Sequence, residues 1–143
     1  MKANDFINAF ISMLGISEKN YSFNYFHLPR IYCNDGFNIS VQVNEGSYCG
    51  SENGYRKFGS EWKMVEWGFP SQPIDNRKYD AECITDEETI NSVGSVEIEK
   101  IDELLKSHEG IDMVATLSNA REWLNNEVRY SNSLRTRMSM LNF

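Results

Sequence analysis

The stretch Arg30-Ile31-Tyr32-Cys33-Asn34-Asp35-Gly36-Phe37-Asn38-Ile39-Ser40-Val41-Gln42-Val43 decides the fold of this chain. Asp35-Gly36 supplies the positive φ that tight hairpin turns require, so residues 30–33 and 37–43 read as two antiparallel strands. In the second strand Phe37, Ile39, Val41 and Val43 alternate with Asn38, Ser40, Gln42 and Asn44. That period of two predicts one buried and one wet face. Outward from it, residues 62–69 read as a further strand, with Val65, Trp67 and Phe69 on the apolar side, and Pro70 and Pro73 bar its continuation. Residues 45–60 between the strands are glycine-rich, with Asn53-Gly54 as a second turn signal.

Helices flank this sheet region. Phe6, Ile7, Phe10, Ile11 and Leu14 share one helical face, with Asn4 as the expected N-cap and Gly15 as the stop. Residues 17–28 form an aromatic-rich connection. Residues 80–91 read as an exposed loop. A helix is expected over 95–109, capped by Ser95, striped by Ile98, Ile101, Leu104 and Leu105, and ended by Gly110. His108 falls in its last turn, where a cation is favoured. A long helix is expected over 116–141, with Leu117, Ala120, Leu124, Leu134, Met138 and Leu141 in one heptad frame. Such a rod outreaches a domain of this size, which predicts protrusion or association of copies. The expectation is one α+β domain over 1–143: a short N-terminal helix (1–16), a small antiparallel β-sheet (29–70) and two C-terminal helices, the last one long.

Composition narrows the function classes. A chain of 143 residues with 41% hydrophobic and 13% aromatic residues can bury one core unaided. No apolar run approaches a membrane span, and the first residues lack the basic and apolar regions of a secretory signal. A net charge of −7 argues against general nucleic-acid binding. Residues 80–112 hold eleven acids against two lysines, a net of −9, whereas residues 115–143 net +2. Cys33, Cys49 and Cys83 lack C-x-x-C spacing, so no metal site is expected, and Cys33 and Cys49 read as small buried hydrophobes. With His27 and His108 given ordinary roles, no nucleophile elbow and no phosphate loop, no catalytic residue and no cofactor are expected.

Binding is the better expectation. Tyr55, Arg56, Lys57 and Phe58, in a glycine-rich run, join two cations to two rings, suited to holding phosphate and stacking on a base. Arg121 and Arg129 on the last helix are the second candidates: paired across a two-fold axis, they would make an anion pocket.

The run Phe26-His27-Leu28-Pro29-Arg30-Ile31-Tyr32-Cys33-Asn34-Asp35-Gly36-Phe37, then Ile39-Ser40-Val41-Gln42, Tyr48-Cys49 and Val65-Glu66-Trp67-Gly68-Phe69-Pro70-Ser71, resembles small proteins encoded by phages and prophages. His108-Glu109-Gly110-Ile111 is similar to the pattern that closes them. The resemblance spans residues 26–111 and implies an accessory role in counter-defence inside an infected bacterial host, in the cytoplasm. Two expectations follow. The first is a sponge, similar to the anti-Thoeris family, that sequesters a cyclic ADP-ribose isomer or a cyclic oligonucleotide without cleaving it, as a homo-oligomer. The alternative is an inhibitor, similar to anti-CRISPR proteins, that offers an acidic surface to a host defence protein. Neither implies direct contact with nucleic acid or membrane.

Overall fold

The computed structural model describes residues 1–21, 26–44, 47, 61–83 and 89–128, without the side chains of Cys83 and residues 126–128. The fold is α+β: a short N-terminal helix, an antiparallel sheet and two C-terminal helices. Helix α1 spans Ala3–Met13 and buries Phe6, Ile7, Phe10 and Ile11. It ends in a Schellman motif, with Gly15 at φ 71°, Gly15 N–H donating to Ser12 O and Ile16 N–H to Ile11 O. Its start differs from expectation. Lys2 is the N-cap residue, without a side-chain bond. Asn4 Oδ1 instead accepts Trp62 N–H at 2.9 Å. The first helical N–H, of Ala3, is satisfied from afar by Asp102 Oδ1 at 2.8 Å, a carboxylate where the helix dipole favours one.

The sheet has five strands in the order β1-β2-β3-β5-β4, all neighbours antiparallel. Strands β1 (Ile31–Tyr32) and β2 (Asn38–Gln42) form the expected hairpin, with Gly36 at φ 95°. Strand β3 (Met64–Gly68) lies at the centre. Strands β4 (Glu82–Cys83) and β5 (Val93–Glu97) correct the sequence reading. Ser95 does not cap a helix; it lies buried in β5, opposite Glu66. A Ser followed by two acids imitates a helix start, but five ladder partners on β3 outweigh that local preference. Helix α2 accordingly starts later and spans Ile98–Ser107. It too closes in a Schellman motif, Gly110 N–H donating to Leu105 O and Glu109 N–H to Lys106 O. The left-handed residue at its C′ position is therefore Glu109, at φ 70°, ahead of the expected Gly110.

Helix α3 spans Met113–Val128 in the described residues. It begins earlier than expected because Asp112 caps it: Asp112 Oδ1 accepts Ala115 N–H at 3.0 Å. Ala120 and Leu124 are buried within this same chain. Trp123 meets Phe10 edge-on at 5.9 Å and donates Nε1–H to His27 O at 2.7 Å. The described part of the heptad stripe thus lies against the molecule's own body. Its expected continuation to residue 141 lies outside the described residues.

One core joins α1, α2 and one sheet face, with Ile39, Val41, Val65, Trp67 and Val96 all fully buried. The other face is less wet than alternation predicts. Gln42 and Asn44 are buried because they serve the passing chain. Gln42 Oε1 accepts Leu28 N–H at 2.8 Å, Gln42 Nε2 donates to Leu28 O at 3.0 Å, and Asn44 Nδ2 donates to Phe26 O at 2.7 Å. These side chains stand in for ladder bonds where the chain has left the strand.

Candidate functional site

Three of the four motif segments within the described residues, 26–37, 65–71 and 108–111, meet at one end of the sheet. The antiparallel register brings the 34–36 turn, the end of β3, the start of β5 and the end of α2 to that edge. Two arrangements are built there.

The first is a clasp between the hairpin turn and the end of α2. His108 Nδ1 lies 2.7 Å from Asp35 Oδ2, and the His108 ring stacks on Phe37 at 3.9 Å between centroids and 10° between planes. Asn34 N–H donates to Gly110 O at 2.9 Å, Asn34 Nδ2 donates to Glu109 O at 2.7 Å, and Cys33 bridges to Ile111. The Phe37 backbone N–H, then the His108 ring, hold the Asp35 carboxyl below its ordinary range. Burial, aided by the charge of Asp35, pushes the Cys33 thiol up to about 11. It is a free cysteine, buried as expected from sequence, and its raised pKa disfavours the reactive thiolate. His108 with Asp35 is a base held by an orienting acid, but a nucleophile has to complete such a set. Among the described residues no Ser, Thr or Cys hydrogen-bonds to His108.

The clasp has a pH consequence. A carboxyl whose pKa is depressed on folding contributes stability that is present above its unfolded value, near 4, and is lost as pH falls through the folded value. Acid unfolding of Asp35→Asn should therefore show a shallower dependence on pH below about 4 than the parent. Matching slopes in a pH series of thermal melts would show that the clasp carries no such linkage.

The second arrangement is a corner. Phe69 is 54% exposed and sits at φ 49°, a conformation that is costly for a bulky residue and more so before Pro70. It is pinned from both sides: its N–H donates to Ser92 O at 2.9 Å, and its carbonyl accepts from Arg30 Nη2. Arg30 Nε also donates to Asn38 Oδ1 at 2.8 Å, while Asn38 N–H donates to Ser71 Oγ at 3.0 Å and Asn38 O accepts Ser71 N–H at 2.8 Å. Burial lowers the Arg30 pKa, with Tyr32 opposing, but guanidinium stays charged. Among the described residues Arg30 Nη1 donates to nothing. Strain of this kind persists only where the surrounding structure holds it in place, and it clusters at functional sites.

Phe69 departs from the alternation, which places it with Val65 and Trp67 on the buried side. Alternation fails because the backbone turns left-handed one residue beyond the strand. Both corner residues stand inside the quoted motif but read there as strand residues. The Gly-Phe-Pro triplet was the signal, since a proline restricts the residue before it.

The sequence candidates fare differently. Tyr55, Arg56, Lys57, Phe58 and Arg129 lie outside the described residues. Arg121 is exposed on α3. At the opposite end of the molecule, a groove of about 530 Å³ between the starts of α1 and α2 is lined by Lys2 and Lys63 but also by Asp5, Glu61, Glu97 and Glu99. That balance of charge does not favour an anion. Among the described residues no group of His, Cys, Asp and Glu could hold a metal ion, and no helix is long and apolar enough to cross a membrane. Compared with family models, curated proteins and solved structures, the chain matches none.

Proposed function

We propose that this chain is a phage counter-defence protein that acts by stoichiometric capture, holding a nucleotide immune signal without cleaving it. The observation that carries the reading is the Arg30–Phe69 corner. It offers a ring standing in solvent, able to stack on a base, beside a guanidinium with N–H groups to spare for a phosphate. The Phe69 backbone and the Arg30 guanidinium are held before any ligand arrives, which lowers the ordering cost of binding. The phage-type motif supports the counter-defence setting, and association of copies through the C-terminal segment belongs to the same proposal.

The test is capture and release. The protein is incubated with a cyclic ADP-ribose isomer or a cyclic dinucleotide, washed, and heated. Intact ligand should be recovered, and ligand at ~100 times Kd should add about 2.7 kcal/mol of stability. Arg30→Met should weaken binding at least about tenfold, the effect of losing one charge-assisted bond. Absence of a thermal shift across the nucleotide panel, or recovery of an altered product, overturns the reading.

A second reading, an inhibitor that binds a defence protein, draws on the exposed carboxylates Glu99, Glu103 and Glu109 of α2 and its closing turn, with Asp80 nearby. Co-purification with such a protein, lost on neutralising Glu99, Glu103 and Glu109, would favour it.

A further inference from the structure

Residues 70–81 read Pro-Ser-Gln-Pro-Ile-Asp-Asn-Arg-Lys-Tyr-Asp-Ala, and the prolines at 70 and 73 keep the stretch out of the ladder. It crosses from the end of β3 to the start of β4 as a strap. Both ends are fastened. Ser71 is tied to Asn38 through its N–H and its Oγ, and Glu82 and Cys83 pair with Ser95 and Gly94 of β5. Between these ends, among the described residues, no hydrogen bond joins residues 72–80 to the sheet or to a helix. An ion pair of 4.0 Å, Asp80 with Lys100 of α2, is the polar link that remains.

Three side chains hold the strap down. Ile74, Asn76 and Tyr79 are buried, and the other residues from 71 to 80 are exposed. Tyr79 meets the Trp67 ring edge-on. Asn76 is the anomaly. Its carbonyl accepts Tyr79 N–H at 3.3 Å and Ala81 N–H at 3.1 Å, yet neither Nδ2 nor Oδ1 of its amide has a hydrogen-bond partner among the described residues. Turning the amide over only exchanges one unpartnered atom for the other. At the far end Asp80 sits at φ 51°, a region that costs most residues other than glycine.

We propose that residues 72–80 open as a unit while the sheet stays folded, with the Asn76 amide as the built-in weak point of the closed position. Docking gains the burial of Ile74 and Tyr79 and loses the hydration of that amide, so closed and open positions lie closer in free energy than apolar packing alone would set them. Segments with few buried contacts and few bonds to their surroundings are the ones that open locally. Opening withdraws Tyr79 from Trp67, two residues from Phe69, and so changes the surroundings of the corner. The inference stands apart from the nucleotide reading.

The test is hydrogen exchange of the full chain, read by NMR at the Tyr79 and Ala81 amides and at the paired amides of β3, without urea and at low urea concentrations. Tyr79 and Ala81 should exchange at least about tenfold faster than the slowest β3 amides, with a shallower dependence on urea, because local opening exposes less surface than unfolding. Asn76→Leu keeps the branched shape of asparagine and removes both unpartnered atoms, so protection of Tyr79 and Ala81 should rise about tenfold. Exchange of both amides at the β3 rate and with the β3 urea slope would show that the strap leaves only when the whole chain unfolds. That result overturns the proposal from the parent protein alone, whether or not the variant folds. Protection that is unchanged or lower in folded Asn76→Leu would show that the amide is satisfied where it lies, and overturns the weak point.

Discussion

Trp67→Ala should lower the stability of this protein by about 3–5 kcal/mol, the range for deleting a large buried aromatic side chain. Trp67 is fully buried on the central strand, with Val41 beside it on β2 and Gly94 on β5. Gly94 has no side chain to move into the space, and Tyr79 stands edge-on to the ring at 6.1 Å between centroids. The cavity would therefore stay largely open. Such a loss is a large share of the roughly 5–15 kcal/mol that holds a domain folded. Trp67→Phe should cost far less, about 1–2 kcal/mol. It keeps most of the contact and deletes Nε1, which has no hydrogen-bond partner among the described residues. Urea titrations of both variants check this, and equal midpoints for the two would contradict it.

Gln42→Leu should cost about 2–4 kcal/mol although it makes the residue more apolar, because unpaired buried backbone groups are expensive. The Gln42 amide serves both polar groups of the Leu28 backbone, and Leu28 is itself 2% exposed. Leucine matches the bulk of glutamine but leaves that N–H and that carbonyl without their partners. A hydrophobicity argument from the sequence predicts the opposite sign, so thermal melts of this one variant separate the two accounts. A midpoint at or above that of the parent would mean that residues 26–28 find other partners without difficulty.

The same residue shows where sequence reading works and where it stops. The hairpin was legible because Asp35-Gly36 states its own backbone requirement and Phe37, Ile39 and Val41 keep a clean period. The apolar face of α1, with its Gly15 stop, was legible for the same reason. Strand β5 was not: Val93-Gly94-Ser95-Val96-Glu97 has a weak period, and its state is set by β3, about thirty residues away in sequence. Alternation predicts Gln42 and Asn44 on the wet face, because it carries no information about a segment that crosses that face. Asp102 and Asp112, two of the eleven acids of residues 80–112, have structural duties at helix starts that charge counting cannot reveal.

The candidate site was legible only in outline. The motif marks which residues gather at one end of the sheet, and His108 and Asp35 meet there across 73 positions of sequence. The left-handed turn at Phe69 and the grip of Arg30 on its carbonyl are tertiary facts. The glycine-rich run at 50–59 drew attention through composition, which marks a loop as readily as a ligand contact.

The strand order also governs how the molecule can be made. β3 ends at Gly68 and its neighbour β5 begins at Val93, so 25 residues must be translated before the central pairing can close. At roughly 5–20 residues per second the ribosome takes about 1–5 s over that interval. Throughout it the nascent chain holds a strand bearing Val65 and Trp67 with one edge unpaired, a template for sticking to other unfinished chains. Five acids, Asp80, Glu82, Asp86, Glu87 and Glu88, are translated within that interval, and their like charges oppose the approach of neighbouring copies.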